Sequence, residues 1–284
     1  MIYLEDKGDE LAFSLGQKED DEREIRDYVK DISGIKPYEL CRHIIPAYIN
    51  NHNSIRLKAK DLALKSSEVK EVLRELMALE IMEETKDMIV ARDFISMKKV
   101  NIPTLIRKMD NITRGMISDC ISMMDRPEIL ESLTERDKNI NRLTYLIFRT
   151  IKYGMTNPTA AKSYNLTNDE LLKLWLVTDR IEKIADNIKR ISRLLAKAEL
   201  RPETKEQISA ICKRMEEFYK DNMKGFYSND HELLYKCVRT KKDIIMEIDK
   251  IIEEPHQKYL PNICENLKIN IGQINDIAWH TFGR

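Results

Sequence analysis

Glu182 and Asp186, two carboxylates four residues apart, are the residues of this chain whose type and spacing most directly suggest chemistry. On a helix, residues at this spacing stack on one side about 5–6 Å apart, so both carboxylates could bind one cation or one basic group. Spacing alone is weak evidence, because the chain has 48 Asp and Glu among 284 residues and most acidic pairs are solvated. The role of the pair therefore depends on the elements that position it.

The residues around this pair predict one long helix over residues 171–196. Apolar side chains recur there at steps of three and four, which places them on one buried stripe of a helix. The stripe consists of Leu171, Leu174, Trp175, Val177, Ile181, Ile184, Ala185, Ile188, Ile191 and Leu195. Glu182 and Asp186 lie beside the stripe, at the edge of the predicted core.

The composition favours a helical protein without disulfides. Gly and Pro number eight each and aromatic residues make up 7% of the chain, which is typical of helices rather than of a sandwich or barrel. The length allows two compact domains or one domain built from a repeat. The five cysteines are odd in number and form no C-x-x-C motif, which indicates neither a disulfide framework nor a zinc site and fits a reducing cytoplasm.

Hydropathy and charge argue against a membrane protein, a secreted protein and a protein held on nucleic acid by its overall charge. No apolar run approaches the roughly 20 residues that cross a bilayer, and residues 1–13 lack the pattern of a secretory signal, so we expect a cytoplasmic protein without a transmembrane segment. The formal net charge is zero, which argues against binding nucleic acid through bulk electrostatics. Residues 1–33 form an acidic N-terminal arm, with eleven Asp and Glu against five Lys and Arg, and residues 18–30 fit a solvated helix or a mobile arm.

Residues 34–97 predict a small α+β module. Residues 36–51 have helical spacing with a kink expected at Pro46, residues 54–60 alternate like a short strand, and a second helix is predicted at about 67–79. Two more strands are predicted on either side of residues 85–87. We interpret the module as a structural cap on the helices that follow.

From residue 103 onward the sequence predicts long helices. Their expected lengths, roughly 33 to 45 Å at 1.5 Å per residue, are typical of helical bundles. The order long helix, long helix, looped gap, long helix recurs at an offset of about 100 residues, which predicts two copies of a three-helix unit, at 103–198 and 202–284. The six predicted helices are 103–124, 128–153, 167–198, 202–226, 230–254 and 261–282.

Short strings in the first unit resemble those of the PhoU-like phosphate-uptake regulators, in particular an archaeal branch that carries an extra N-terminal module. Residues 182–187, Glu-Lys-Ile-Ala-Asp-Asn, are similar to the family string E-R-I-A-D-H, whose first and fifth positions are its metal-binding motif. Residues 135–149 are similar to E-R-D-x-x-V-D-R-L-x-F-L-I-x-R, and Met116 with Asp119 fits M-x-x-D. Residues 79–85 are similar to the small module of that branch. The resemblance covers about residues 37–284 and is more specific in the first unit than in the second.

The resemblance implies a site for a transition metal ion, iron or zinc. The expected ligands are Glu182, Asp186, Asp137, Glu135 and Asp119, with Asp276 for a second-repeat site. Three positions depart from the family pattern: Asn141 replaces an aspartate, Asn187 replaces a histidine, and Gly272 falls where the second copy's aspartate is expected. An amide in place of a carboxylate keeps one oxygen but removes the charge, which weakens the expected metal site.

The resemblance implies a regulatory adaptor of phosphate uptake or phosphate signalling. Its expected partners are the ATPase of a phosphate transporter or a sensor kinase, and we also expect a homo-oligomer. The alternative is a transcription regulator of phosphate homeostasis. A candidate DNA-reading surface is the basic helix end formed by Lys189, Arg190, Arg193 and Lys197, although cations at a helix C-terminus commonly stabilise the helix dipole.

The acidic arm is not expected to bind DNA. Members of the archaeal branch often begin with a swapped-hairpin DNA-binding domain, and the arm is interpreted as a remnant of that domain. Eleven acidic residues would repel a phosphate backbone, because affinity for DNA comes from basic groups that release counterions.

The sequence motifs do not support an enzyme, and we expect no catalytic residues and no cofactor-binding residues. A ferritin-like di-metal enzyme would need two E-x-x-H motifs on separate helices, and only residues 253–256 have that spacing, with Pro255 inside it. The motifs G-x-x-x-x-G-K-[ST], G-x-S-x-G and H-E-x-x-H do not occur.

Overall fold

The structure of the protein is a computed structural model that describes residues 2–6, 11–15, 25–252 and 257–282. Strands β1 (Ile2–Asp6) and β2 (Leu11–Leu15) form an antiparallel hairpin. The helix considered for residues 18–30 is wrong where the chain is described, because β3 (Asp27–Asp31) is a strand whose alternate side chains are half-buried. Residues 18–24 lie outside the described residues, as do residues 253–256.

β3 belongs to a four-stranded sheet in the N-terminal module. The sheet also contains β4 (Ser54–Lys58), β5 (Leu79–Glu84) and β6 (Met88–Asp93), in the order β3-β4-β6-β5. β3 and β4 are parallel, and the other neighbouring pairs are antiparallel. The strands predicted from residues 54–60 and around residues 85–87 are thereby confirmed.

Two short helices pack on this sheet, α1 (Cys41–Ile49) and α2 (Ser66–Arg74). α1 is shorter than the predicted helix because residues 37–39 form a 3-10 turn. Pro46 lies inside α1. α2 ends earlier than predicted, and Ala78, with a left-handed φ of 60°, turns the chain into β5. Fully buried apolar side chains from both helices and the sheet form a core of the module's own.

Long helices make up most of the described chain after residue 101. The first unit contains α3 (Ile102–Ser122), α4 (Ile129–Thr156) and α6 (Asn168–Leu195). The second contains α7 (Pro202–Ser228), α8 (His231–Ile252) and α9 (Leu260–Thr281). A short helix that was not predicted, α5 (Pro158–Tyr164), occupies the gap between α4 and α6, where the Asn157 side chain accepts a hydrogen bond from the Ala160 N–H at 3.1 Å.

Polar residues at the helix ends explain why the long helices begin and end where they do. Thr167 and Glu170 form a capping box at the start of α6, in which each side chain accepts a hydrogen bond from the other residue's backbone N–H, at 3.2 and 2.8 Å. Asn229 ends α7 in a left-handed conformation, with φ 51°, which asparagine tolerates better than most residues.

The two three-helix units share one apolar core. α6 packs along α9 and α3 packs along α7, so buried side chains of both units form a single cluster. The predicted fold class is confirmed: the protein is mainly α, with two tandem three-helix units preceded by a small α+β module.

A buried ion pair joins the module to the first unit. Arg149 of α4 donates through Nη2 to Asp93 Oδ2 of β6 at 2.6 Å, and these side chains are only 2% and 3% exposed. Arg149 Nε also lies 3.4 Å from Asn51 Oδ1, and its guanidinium carbon lies 4.3 Å from the ring centre of Tyr48. We call these four residues the Arg149 joint. Because a buried charge is tolerated only when it is paired, the joint ties the position of the module to that of α4.

Candidate functional site

Glu182 and Asp186 lie on α6, as predicted, and both are half-buried. Most of the apolar stripe beside them, including Ile181, Ile184 and Ile188, is fully buried in the shared core, and Leu174 and Trp175 are partly buried. The two carboxylates therefore lie at the rim of the core rather than on a fully solvated face.

Lys189, one turn further along α6, lies between two of the predicted ligands. Its Nζ is 2.5 Å from Asp137 Oδ2 of α4 and 3.0 Å from Asp186 Oδ1. The side chains of Lys189 and Asp137 are only 13% and 6% exposed, so this ion pair is largely removed from water. Asp186 also forms an ion pair with Arg190, whose Nη2 lies 2.7 Å from Asp186 Oδ2. Asp137 and Asp186 are thus brought together by an ammonium group of the chain itself.

Glu182 adds a carboxylate to this cluster but makes no hydrogen bond or ion pair within the described residues. Burial, and then the nearby carboxylates of Asp186, Asp179 and Asp137, together raise its pKa to about 7. A carboxyl group with this pKa changes its charge close to neutral pH. We call Asp137, Glu182, Asp186 and Lys189 the α6 acidic cluster.

Two further titratable groups lie near this cluster, Glu75 of the module and Tyr145 of α4, and neither was predicted as a site residue. Burial, followed by the neighbouring Glu71, raises the pKa of Glu75, which follows α2, and the charge of Asp137 contributes. Burial and then the charges of Glu75 and Glu182 raise the pKa of Tyr145 on α4 to about 12. No sequence spacing links Glu75 to α6, so only the packing of the module could reveal it.

The predicted ligands Glu135 and Asp119 contact basic residues outside the α6 acidic cluster. Glu135 is exposed and accepts a hydrogen bond from Lys138 at 3.0 Å on the same helix. Asp119 of α3 is 2.6 Å from Arg136 Nη2. No contact between described residues joins either carboxylate to Glu182 or Asp186, so the structure does not gather the five predicted first-unit ligands in one place.

The predicted second-repeat ligand, Asp276 on α9, lies 3.6 Å from Arg180 of α6. Arg180 also donates to Gln273 Oε1 at 2.6 Å and lies 3.3 Å from His280 Nε2. Asn187, which stands where the family has a histidine, donates to the backbone carbonyl of Asn266 at 2.7 Å. Asp276, Arg180 and Asn187 therefore form polar links between α6 and α9.

These contacts do not present the open set of donors that a metal ion requires. Zinc or iron needs about four ligands, and the charge of Asp137 and Asp186 is already balanced by Lys189 and Arg190. Within the described ranges, no group of three or more His, Cys, Asp or Glu side chains is placed to hold a metal ion. As folded, the cluster is an ion-pair network with one unpaired carboxyl, and a metal would have to displace the Lys189 ammonium.

Lys189 and Arg190 were considered from the sequence as a DNA-reading surface or as cations that serve the helix dipole. In the structure both are counter-ions of Asp186. Their spacing of three and four residues from Asp186 was a signal in the sequence that could have revealed this role. The contact from Lys189 to Asp137 spans 52 residues and had no such signal.

Comparisons with known proteins agree with this architecture. The family model of the PhoU domain matches residues 106–195, which contain most of α3 and all of α4, α5 and α6. No curated protein and no solved structure matches the chain. A search of the described helices finds none with the length and apolar character needed to span a membrane. The chain therefore contains a region, residues 106–195, that matches the PhoU domain, and this region forms nearly all of the first helical unit.

Proposed function

We propose that this protein is a regulatory adaptor of phosphate uptake or phosphate signalling that acts through protein–protein contacts in the cytoplasm. The observation that carries the proposal is the PhoU-domain match over residues 106–195. The partners we propose are the ATPase of a phosphate transporter and a sensor kinase, and the protein would act without catalysing a reaction.

The buried contact between the module and the helical bundle supports this role. The Arg149 joint fixes the module against α4, so a partner that binds both elements would meet a single preformed surface. The α6 acidic cluster also borders the module, because the charge of Asp137 on α4 acts on Glu75, which follows a module helix.

Binding of the purified full chain to the two partner proteins would test the proposal. We expect the chain to bind the transporter ATPase or the sensor kinase from the same organism, with an affinity that changes several-fold between phosphate-poor and phosphate-rich conditions. An absence of binding to both partners, together with specific binding to promoter DNA, would contradict it.

That second outcome would favour the alternative function, a transcription regulator of phosphate homeostasis. The contacts of the proposed DNA-reading surface weigh against it, because Lys189 and Arg190 are already paired with carboxylates. Only Arg193 and Lys197 of that set remain as exposed cations outside the ion pairs of the described residues.

Binding of iron or zinc by Glu182 and Asp186 remains a prediction, as does assembly into a homo-oligomer. Metal analysis of the purified protein tests the binding of iron or zinc. If the double variant Glu182→Ala, Asp186→Ala has the same background metal content as the unmodified chain, these residues are not metal ligands. Light scattering of the same sample gives the oligomeric state.

A further inference from the structure

Two shallow grooves flank α3, and basic side chains dominate both. The first groove, of about 660 Å³, runs between α3 and α4 and contains no carboxylate; its lining residues are Thr104, Arg107, Lys108, Asn111, Ile112, Gly115 and Arg136. The second, of about 450 Å³, runs between α3 and α7 and contains Lys220, Lys224 and Arg114 with a single carboxylate, Asp221. In a chain with no net charge, this concentration of cations is a distinct feature.

The two grooves meet at a stacked pair of side chains. The guanidinium carbon of Arg107, which lines the first groove, lies 4.3 Å from the ring centre of Tyr227, which lines the second. We call the continuous region formed by Arg107, Lys108, Arg114, Arg136, Lys220 and Lys224 the α3 basic surface.

Two of its arginines are held in place by carboxylates behind them. Arg114 donates through Nε and Nη2 to the buried Asp110, at 2.8 and 3.0 Å, and Arg136 is held by Asp119. Gly115 leaves room for this arrangement, because a Cβ atom there would lie 3.1 Å from Arg136 Nη1. The guanidinium groups are therefore preorganised, which lowers the entropic cost of binding a carboxylate.

Other cations of the surface are not paired with carboxylates of the described residues. Arg107, Lys108 and Lys224 take part in no ion pair among the described residues, and all three are exposed. A ligand that supplies oxygen acceptors would satisfy these groups.

From these contacts we infer that the α3 basic surface docks an acidic peptide segment of a partner protein. The stretch of α3 between Thr104 and Gly115 rises about 16 Å, which matches about five residues of extended chain. The grooves are open and shallow, which suits a peptide better than a small molecule. This inference deepens the proposed adaptor function and rests on it for the identity of the partner.

The charge balance favours a peptide over nucleic acid. Asp110, Asp119, Glu216 and Asp221 offset four of the six cations, which leaves a net charge of about two positive units. Affinity for a duplex rises with the number of phosphates neutralised, so two charges give little binding at physiological salt. Two or three carboxylates of a peptide can instead meet Arg107, Lys108 and Lys224, which form no ion pair among the described residues.

Fluorescence anisotropy with the full chain tests the inference. The probe is a labelled Gly-Ser peptide of about a dozen residues with several Glu, and its reference is the same peptide with Gln in those positions. We expect the Glu peptide to bind and the Gln peptide not to bind. The variant Arg107→Glu, Lys108→Glu should lower the affinity at least about tenfold.

The matched control is Lys236→Glu, Arg239→Glu, which makes the same charge change at two exposed positions of α8. We expect this control to change the affinity less than about twofold. An equal loss in both variants, equal binding of the Gln peptide, or stronger binding of a DNA oligonucleotide of the same charge would overturn the inference.

The inference and the proposed function fail separately. If the chain binds the transporter ATPase or the kinase and Arg107→Glu, Lys108→Glu leaves that binding unchanged, the surface assignment is wrong and the adaptor function stands. If neither partner binds while the Glu peptide binds as expected, the surface stands and the proposed partners are wrong.

Discussion

Two sets of opposite charges lie against α4, and they differ in how closely the charges are matched and how far water reaches them. In the Arg149 joint, one guanidinium meets one carboxylate, and both side chains are almost fully buried. In the α6 acidic cluster, the Lys189 ammonium contacts two of the three carboxylates, Asp137 and Asp186, and Asp186 remains 30% exposed. The buried ion pair of the joint, in which the two charges balance, links the N-terminal module to the first helical unit. The α6 acidic cluster has more carboxylates than ammonium groups and is partly exposed to solvent. Its carboxyl group without an ion-pair partner, Glu182, can therefore respond to pH, to a cation or to a partner protein.

The comparison predicts the largest stability effect at the joint. Asp93→Ala leaves Arg149 buried without a counter-charge, so we expect the free energy of unfolding to fall by about 3–5 kcal/mol. Urea denaturation followed by circular dichroism measures this. The control is Glu128→Gln, which removes an exposed pair with Arg126 at 3.7 Å and should cost less than about 0.5 kcal/mol. Similar values for the two variants would show that the joint is not a structural anchor.

A smaller effect is expected when Lys189 is replaced. Lys189→Met leaves the carboxylate of Asp137 buried without its ammonium partner, so we expect a loss of about 1–3 kcal/mol in the free energy of unfolding. Lys183→Met is the matched control, because Lys183 pairs with Asp179 at 2.7 Å on the exposed side of the same helix and should cost less than about 0.5 kcal/mol. Equal losses would contradict the role of Lys189 as the internal counter-ion.

The raised pKa of Glu182 predicts a dependence of stability on pH. Its pKa in the folded protein is about 7, above its ordinary value, so ionisation destabilises the fold progressively as the pH rises from about 4.5 to 7. Glu182→Gln removes this cost. We expect the variant to be more stable than the unmodified chain by about 1–2 kcal/mol at pH 8, after allowance for solvent around the group, with a much smaller difference at pH 5.

Urea denaturation at both pH values measures the Glu182 effect. Glu217→Gln on α7 is the control, because Glu217 is exposed and its replacement should change stability little at either pH. A gain for Glu182→Gln that is the same at pH 5 and pH 8 would rule out titration of Glu182 as the cause.

The smallest effect is expected in the second unit. Asp276→Ala removes a partly exposed contact with Arg180 at 3.6 Å, and Arg180 keeps its hydrogen bond to Gln273, so we expect a change within about 0.5 kcal/mol. Thermal unfolding of the Asp276→Ala and Lys189→Met variants measures the loss of stability in each. A loss as large as that of Lys189→Met would indicate that the second unit also depends on a charge cluster.

Local sequence signals were sufficient to predict the helical architecture. The apolar spacing along α6 and the capping box at Thr167 and Glu170 act within a few residues, so they indicate where the helix lies and which face is buried without knowledge of its neighbours. The short helix α5 and strand β3 were not predicted, because their segments are brief and carry little periodicity.

The positions of Glu182 and Asp186 on α6, and the apolar stripe beside them, were determined by the sequence by itself, because helical periodicity is a local property of the chain. What balances their charge was decided by the tertiary structure. Lys189 meets Asp137 across 52 residues, and Arg149 meets Asp93 across 56. Such contacts depend on which helices and strands pack together, and the free energy of an ion pair depends on the burial that this packing creates.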